Sequence, residues 1–179
     1  LRAARRRQRA AGVAALHRRA RPAGHRLDRG RIVGIGPLGQ VVAKQRLQAA
    51  HSELVTLISM ARWQAMTNTS RVTLCPLQDH GRCQLPWSGT LTTFIDNNGN
   101  RTLDPGEEII ASIKLPSHTT LTWRGMNPTH SLHFSGNGMT FVSNGTFTLC
   151  HTNIDETRRI TLNKQGRLKS ESLNSTCPH

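Results

Sequence analysis

The feature that most constrains this chain is a change of hydrophobic period at Ser70. Before it, Leu47, Ala50, Leu54, Leu57, Ile58, Ala61 and Ala65 recur at spacings of three and four. That is one apolar stripe on a helix beginning near Leu38, just after Pro37, and ending near Thr67. Asn68, Thr69 and Ser70 interrupt it. Lys44, Gln48, Ser52 and Arg62 fall on the opposite face, so the helix should pack on a domain rather than cross a bilayer. After Ser70 the period becomes two. Strands are expected at residues 71–75, 90–95, 108–113, 119–124 and 131–134. Residues 139–143 and 146–150 flank Asn144-Gly145, a pair suited to a type I′ hairpin. Residues 158–163 and 167–170 flank Lys164-Gln165-Gly166 and suggest a last hairpin. A long helix followed by eight or nine short strands predicts an α+β fold.

Charge divides the chain differently. The net charge is +14, but residues 1–31 carry eleven Arg and one acid, whereas the remainder holds thirteen Lys or Arg and nine acids. Three readings suit the first segment: a basic arm for nucleic acid or anionic lipid, a solvated disordered tail, or GC-rich DNA translated out of frame. The last accounts for its Arg, Ala, Gly and Pro content, and fold reasoning starts after it. No run of about 20 apolar residues suits a membrane span, and the Arg-rich start lacks the apolar core of a secretory signal.

Cys75 and Cys83 bracket a short loop, and Cys150 ends a strand while Cys177 lies near the C-terminus. Disulfides Cys75–Cys83 and Cys150–Cys177 would staple a loop and tie down the tail, although four cysteines allow three pairings. Zinc is the rival, but the spacings lack paired C-x-x-C. Disulfides imply an oxidising compartment.

Catalysis has little support. No H-E-x-x-H, G-x-S-x-G or phosphate-binding glycine loop occurs, and the nine His read as scattered over the surface. Asp96, Asn98, Asn100, Thr102, Asp104 and Glu107 do fall at positions 1, 3, 5, 7, 9 and 12 of a calcium loop. Position 6 is Arg101, where such a loop wants Gly, and the flanks Phe94-Ile95 and Ile109-Ile110 are strand-like. A polar loop stiffened by Asx turns is therefore expected, with no metal or other cofactor.

The order of several segments resembles one family. The helix containing Leu57-Ile58-Ser59-Met60-Ala61-Arg62-Trp63 leads into Arg71-Val72-Thr73-Leu74-Cys75-Pro76. Next come Trp87-Ser88-Gly89-Thr90, Phe94-Ile95-Asp96-Asn97-Asn98-Gly99-Asn100 and Asp104-Pro105-Gly106-Glu107-Glu108. Phe147-Thr148-Leu149-Cys150, Arg158-Arg159-Ile160 and Gly166-Arg167-Leu168-Lys169 close the series. Over residues 38–179 the chain resembles the GspH/FimT family of type IV pilin-like proteins, and within it the FimT/FimU minor pilins.

The resemblance implies a long N-terminal pilin helix, here 32–67, packed on a globular domain of antiparallel sheets, here 68–179. It implies a minor pilin of pilus biogenesis, with a minor pseudopilin of type II secretion as the alternative. Other minor and major pilins and the inner-membrane assembly machinery are the implied partners, with no small-molecule substrate. The implied location is the inner membrane with a periplasmic domain, then the fibre. Family members carry an apolar anchor after a short leader; residues 1–31 show none, and Val33-Gly34-Ile35-Gly36-Pro37 reads as its surviving end. A frame error over residues 1–31 is the expectation that follows.

The resemblance also points to DNA. FimT-type members carry a Gly-Arg-x-Arg motif implicated in DNA binding during natural transformation, and this chain has Gly166-Arg167-Leu168-Lys169. The Lys keeps the charge but loses bidentate phosphate geometry. Arg167 and Lys169, two apart on an expected strand, would share a face, with Arg158, Arg159 and Lys164 nearby. Double-stranded DNA is thus the implied nucleic-acid partner, bound without sequence preference and with strong salt dependence. A solvated basic strand edge would explain the same residues.

Overall fold

A computed structural model describes residues 36–126 and 128–177. Helix α1 (Pro37–Asn68) is followed by β1 (Val72–Pro76), β2 (Thr90–Ile95), β3 (Ile109–Lys114), β4 (Thr119–Gly125), β5 (Leu132–Phe134), β6 (Gly145–His151), β7 (Thr157–Leu162) and β8 (Leu168–Leu173). Proline, which lacks the amide hydrogen that a first-turn residue would leave unused, opens α1. Thr69 closes it in a left-handed conformation, its N–H reaching Ala65 O. Every residue of the expected stripe is buried, with Ala43 added at its start. Among the described residues, no helix is long and apolar enough to cross a membrane.

The strands form two antiparallel sheets, ordered β3-β2-β1-β5 and β4-β6-β7-β8. The helix stripe packs on both. Val72 and Leu74 from the first sheet and Phe147, Leu149, Ile160 and Leu162 from the second share one core with it. Strand β1 is buried on both sides because alternate residues serve different cores. Val72 and Leu74 meet the helix, while Cys75 on the reverse face joins Cys83 and Phe94 in a smaller cluster. Disulfides link Cys75 to Cys83 and Cys150 to Cys177, each with Cα atoms 5.5 Å apart.

The expected strand at 139–143 is absent. Those residues form a loop, and neither Asn144 nor Gly145 adopts the positive φ that a type I′ turn needs. Gly145 is instead the first residue of β6, opposite Gly125 on one side and Leu162 on the other. A Cβ there would lie 2.3 Å from Arg124 O, so its glycine serves close strand approach rather than turning. Thr140, in the loop, is fully buried and sends its hydroxyl to Asn163 O at 3.1 Å.

Candidate nucleic-acid interface

Strand β7 and β8 build the hairpin that carries the basic motif. Its turn is held in place from behind. Gly166 has φ +75°, and a Cβ on it would lie 2.3 Å from Gly138 O. Arg62 of α1 donates through Nε to that same carbonyl at 3.1 Å. Thr140 N donates to Lys164 O at 3.0 Å, and Asn163 Oδ1 accepts from Arg167 N at 2.9 Å. Helix, loop and turn are therefore locked together, and the cations of the turn start from a fixed backbone.

Register then sorts the side chains. On the sheet face turned away from α1, Arg124, Thr146, Thr161 and Lys169 form one row across the four strands. Thr122, Thr148, Arg159 and Glu171 form the next. This face has a shallow hollow of about 430 Å³ lined with threonines, Arg124, Arg159 and Glu171, and bordered by Ser175 and Thr176 of the tail. Arg124 to Lys169 spans three strand spacings, roughly 14 Å.

The expected cations do not all gather there. Arg158 alternates to the other face, in the row of Leu149, and pairs with Glu156 at 2.6 Å. Its charge is felt by His51 on α1, whose pKa is lowered by burial and then by Arg158. Arg158 is thus removed from the surface that Arg159 occupies, because adjacent strand residues point oppositely. Arg167 precedes β8 instead of lying in it, and lines a groove with Arg62, Trp63 and Met66 beside α1. Lys169 lies on the outer face in an exposed 2.7 Å ion pair with Glu171, which raises the lysine pKa and lowers that of the glutamate. Among the described residues, Arg124, Arg159, Lys164 and Arg167 form no ion pair. Arg124 sits in no sequence motif; its pairing with Thr146 places it in the cationic row.

The calcium-like segment joins β2 to β3, in the other sheet. Asn98 Oδ1 accepts from Asn100 N at 3.0 Å and Asn100 Oδ1 from Thr102 N at 2.8 Å, so the expected Asx turns form.

Two histidines depart from the expected surface scatter: His133 and His151 are buried. Strand β5 lies against β1, which turns His133 inward, where its Nδ1 is 3.0 Å from Ser143 Oγ. Burial, then Arg71 and Arg101, lower its pKa from 6.5 to about 4, against a smaller opposing pull from Asp96. His51 and His151 are shifted the same way. The folded state therefore resists protonation that the unfolded chain accepts. Stability is expected to be complete above pH 6.5 and to fall as pH drops toward 4. For His133 the loss is on the order of 2 kcal/mol after allowing for solvent screening. Urea melts from pH 7 to 4 should show this slope, and His133→Gln should flatten it.

The family model described as Type II transport protein GspH matches residues 50–166. No curated protein matches the chain in sequence. Two crystal structures of the type IV minor pilin FimU of Pseudomonas aeruginosa are similar. One has a TM-score of 0.55 at 20% identity, covering 75% of this chain and 98% of that one. The other has a TM-score of 0.51 at 21% identity, covering 72% and 98%. The minor pseudopilin EpsH of the Vibrio cholerae Type 2 Secretion System follows at TM-score 0.45 and 16% identity, covering 73% and 96%. One helix laid on antiparallel sheets is the fold shared with FimU, and with the match over residues 50–166 it places this chain in the GspH family of pilin-like proteins.

Proposed function

We propose that the chain acts as a FimU-like minor type IV pilin that helps build the pilus and binds double-stranded DNA for uptake. The observation that carries the DNA reading is the cationic end of the second sheet. Arg124 and Lys169 stand in the last outward-facing row before the β7–β8 turn, Arg159 stands one row behind, and Lys164 and Arg167 belong to the turn itself. The row's width of roughly 14 Å is comparable with the ~12 Å major groove, so its ends suit phosphates on either side. Threonine hydroxyls between them suit further phosphate contacts. Association with other pilins is supported by Leu38, Val41 and Val42, which are exposed at the start of α1.

Binding of a duplex to the full chain, measured across salt concentrations, tests the DNA reading. The Arg167→Ala, Lys169→Ala double variant should weaken binding and make log K against log salt shallower by roughly two. The Arg-rich residues 1–31 are common to both proteins, so the difference reports the hairpin. Equal slopes would overturn the reading. The description of the matching family favours a second reading, a type II secretion pseudopilin. Deletion in the host separates the two: loss of pili with normal secretion supports the first, and the reverse supports the second.

A further inference from the structure

One tryptophan of this chain is left in solvent. Trp87 and Trp123 are 3% and 8% exposed, whereas Trp63 on α1 is 59% exposed. Tryptophan is a highly buried side chain on average, so an indole open to a groove marks a contact surface. Ser59, Arg62, Trp63 and Met66 recur at three and four residues and share a face of α1, alongside its buried stripe. With Gly166 and Arg167 of the β7–β8 turn they line a groove of about 500 Å³, a volume in the range of sites for small organic groups.

The groove is cationic, and its wall is braced. Arg62 and Arg167 both line it, and no acidic residue does. Among the described residues, neither arginine forms an ion pair. Two glycines let the Arg62 side chain lie flat. A Cβ on Gly166 would sit 2.8 Å from Arg62 Nε, and one on Gly138 would sit 3.3 Å from it. Met66 approaches as closely, since the same Cβ on Gly138 would lie 2.6 Å from its Sδ. Arg62 Nε donates to Gly138 O at 3.1 Å, and the terminal nitrogens remain donors for a ligand. A guanidinium already fixed in this way loses little freedom on meeting an anion.

Charge alone would suit any polyanion, and the exposed indole narrows the choice. An aromatic platform beside guanidinium groups is the arrangement that holds an unpaired base and its flanking phosphates. A blunt duplex keeps its bases stacked on one another, and taking one out is costly. An acidic peptide would use the arginines and leave the ring idle. We propose that the groove between α1 and the β7–β8 turn binds an unpaired nucleotide of single-stranded DNA, the base on Trp63 and its phosphates on Arg62 and Arg167. This rests on the DNA reading above and adds a second surface to it. The outer row takes duplex phosphates, the groove takes a single strand, and the β7–β8 turn joins the two.

Intrinsic fluorescence of the full chain is the test, because Trp63 is the exposed member of the chain's three Trp. An oligothymidylate of about ten nucleotides should quench the solvent-exposed part of the emission, and a blunt duplex of equal phosphate content should not. Salt near 0.2 M suppresses the phosphate-only binding to which the Arg-rich residues 1–31 contribute. With a labelled oligothymidylate, Trp63→Ala should weaken binding roughly five- to a hundredfold. Trp63→Phe keeps a ring and should weaken it less. Urea melts report whether each variant folds, and the quenching experiment needs no variant. No quenching by the single strand, or unchanged affinity in a folded Trp63→Ala variant, would overturn the groove. Duplex binding that the Arg167→Ala, Lys169→Ala variant weakens would then leave the DNA reading standing. Absence of both duplex and single-strand binding would overturn both. Equal affinity for a poly-aspartate peptide of matched charge, lost likewise in Trp63→Ala, would replace the nucleotide with an acidic protein segment.

Discussion

Replacing Phe147 by Ala is expected to cost about 3–5 kcal/mol. Phe147 is fully buried in the main core. Its ring meets Trp123 at a centroid distance of 4.3 Å and Trp87 at 5.0 Å, edge-on to the latter. Trp87 comes from the segment between β1 and β2 and is fixed by its indole N–H donating to Thr129 O at 2.8 Å. It therefore cannot move freely into the vacated space. The cost combines lost transfer energy, an unfilled cavity and two aromatic contacts. Urea unfolding followed by tryptophan fluorescence measures it directly, because two of the chain's three Trp line the site. Phe147→Leu should cost markedly less, since it retains most of the volume. A loss below about 1 kcal/mol in the Ala variant would mean that the core closes around the gap.

Gly166→Ala is expected to destabilise the protein by about 2–4 kcal/mol and to weaken DNA binding with it. Two independent penalties act at this position. A φ of +75° disfavours any residue with a Cβ, and that Cβ would lie 2.3 Å from the Gly138 carbonyl oxygen. The contact is backbone, so no side-chain rotation relieves it. The turn must retreat from Gly138, which weakens the Thr140 bonds to Asn163 and Lys164 carbonyls and shifts Arg167. Chemical denaturation gives the stability term. DNA binding well below the unfolding midpoint gives the positional term. A variant as stable as the parent would show that the turn is not clamped.

The glycine also shows how the motif divides between sequence and structure. Gly166-Arg167-Leu168-Lys169 reads as a turn followed by a strand that carries both cations; the turn and the strand form, but β8 carries Lys169 with Glu171 and leaves Arg167 in the turn. That Arg167 stops short of β8, and lines the groove by α1 while Lys169 takes the outer face, follows from where the hairpin closes. Arg158 and Arg159 look like a pair in the sequence, yet the alternation of a strand puts them on opposite faces. That separation was legible from period alone. Arg124 was not, because no local pattern says which strand will lie beside β6.

Local patterns sufficed for the elements that backbone geometry controls. The three- and four-residue spacing from Leu47 to Ala65 marks the buried face of α1, and alternation after Ser70 marks most strands, because both periods reflect backbone geometry alone. Local patterns misplaced residues 139–143, where a β-like pattern and an Asn-Gly pair favour a hairpin locally. Long-range pairing overrides that preference: β5 pairs with β1 and β6 with β4, and Gly145 serves close strand approach. Long-range pairing likewise assembled the cationic row from four strands and buried Asp96 beneath Thr73. Those contacts join residues far apart in the chain, and their energy comes from burial and register, which no short window of sequence contains.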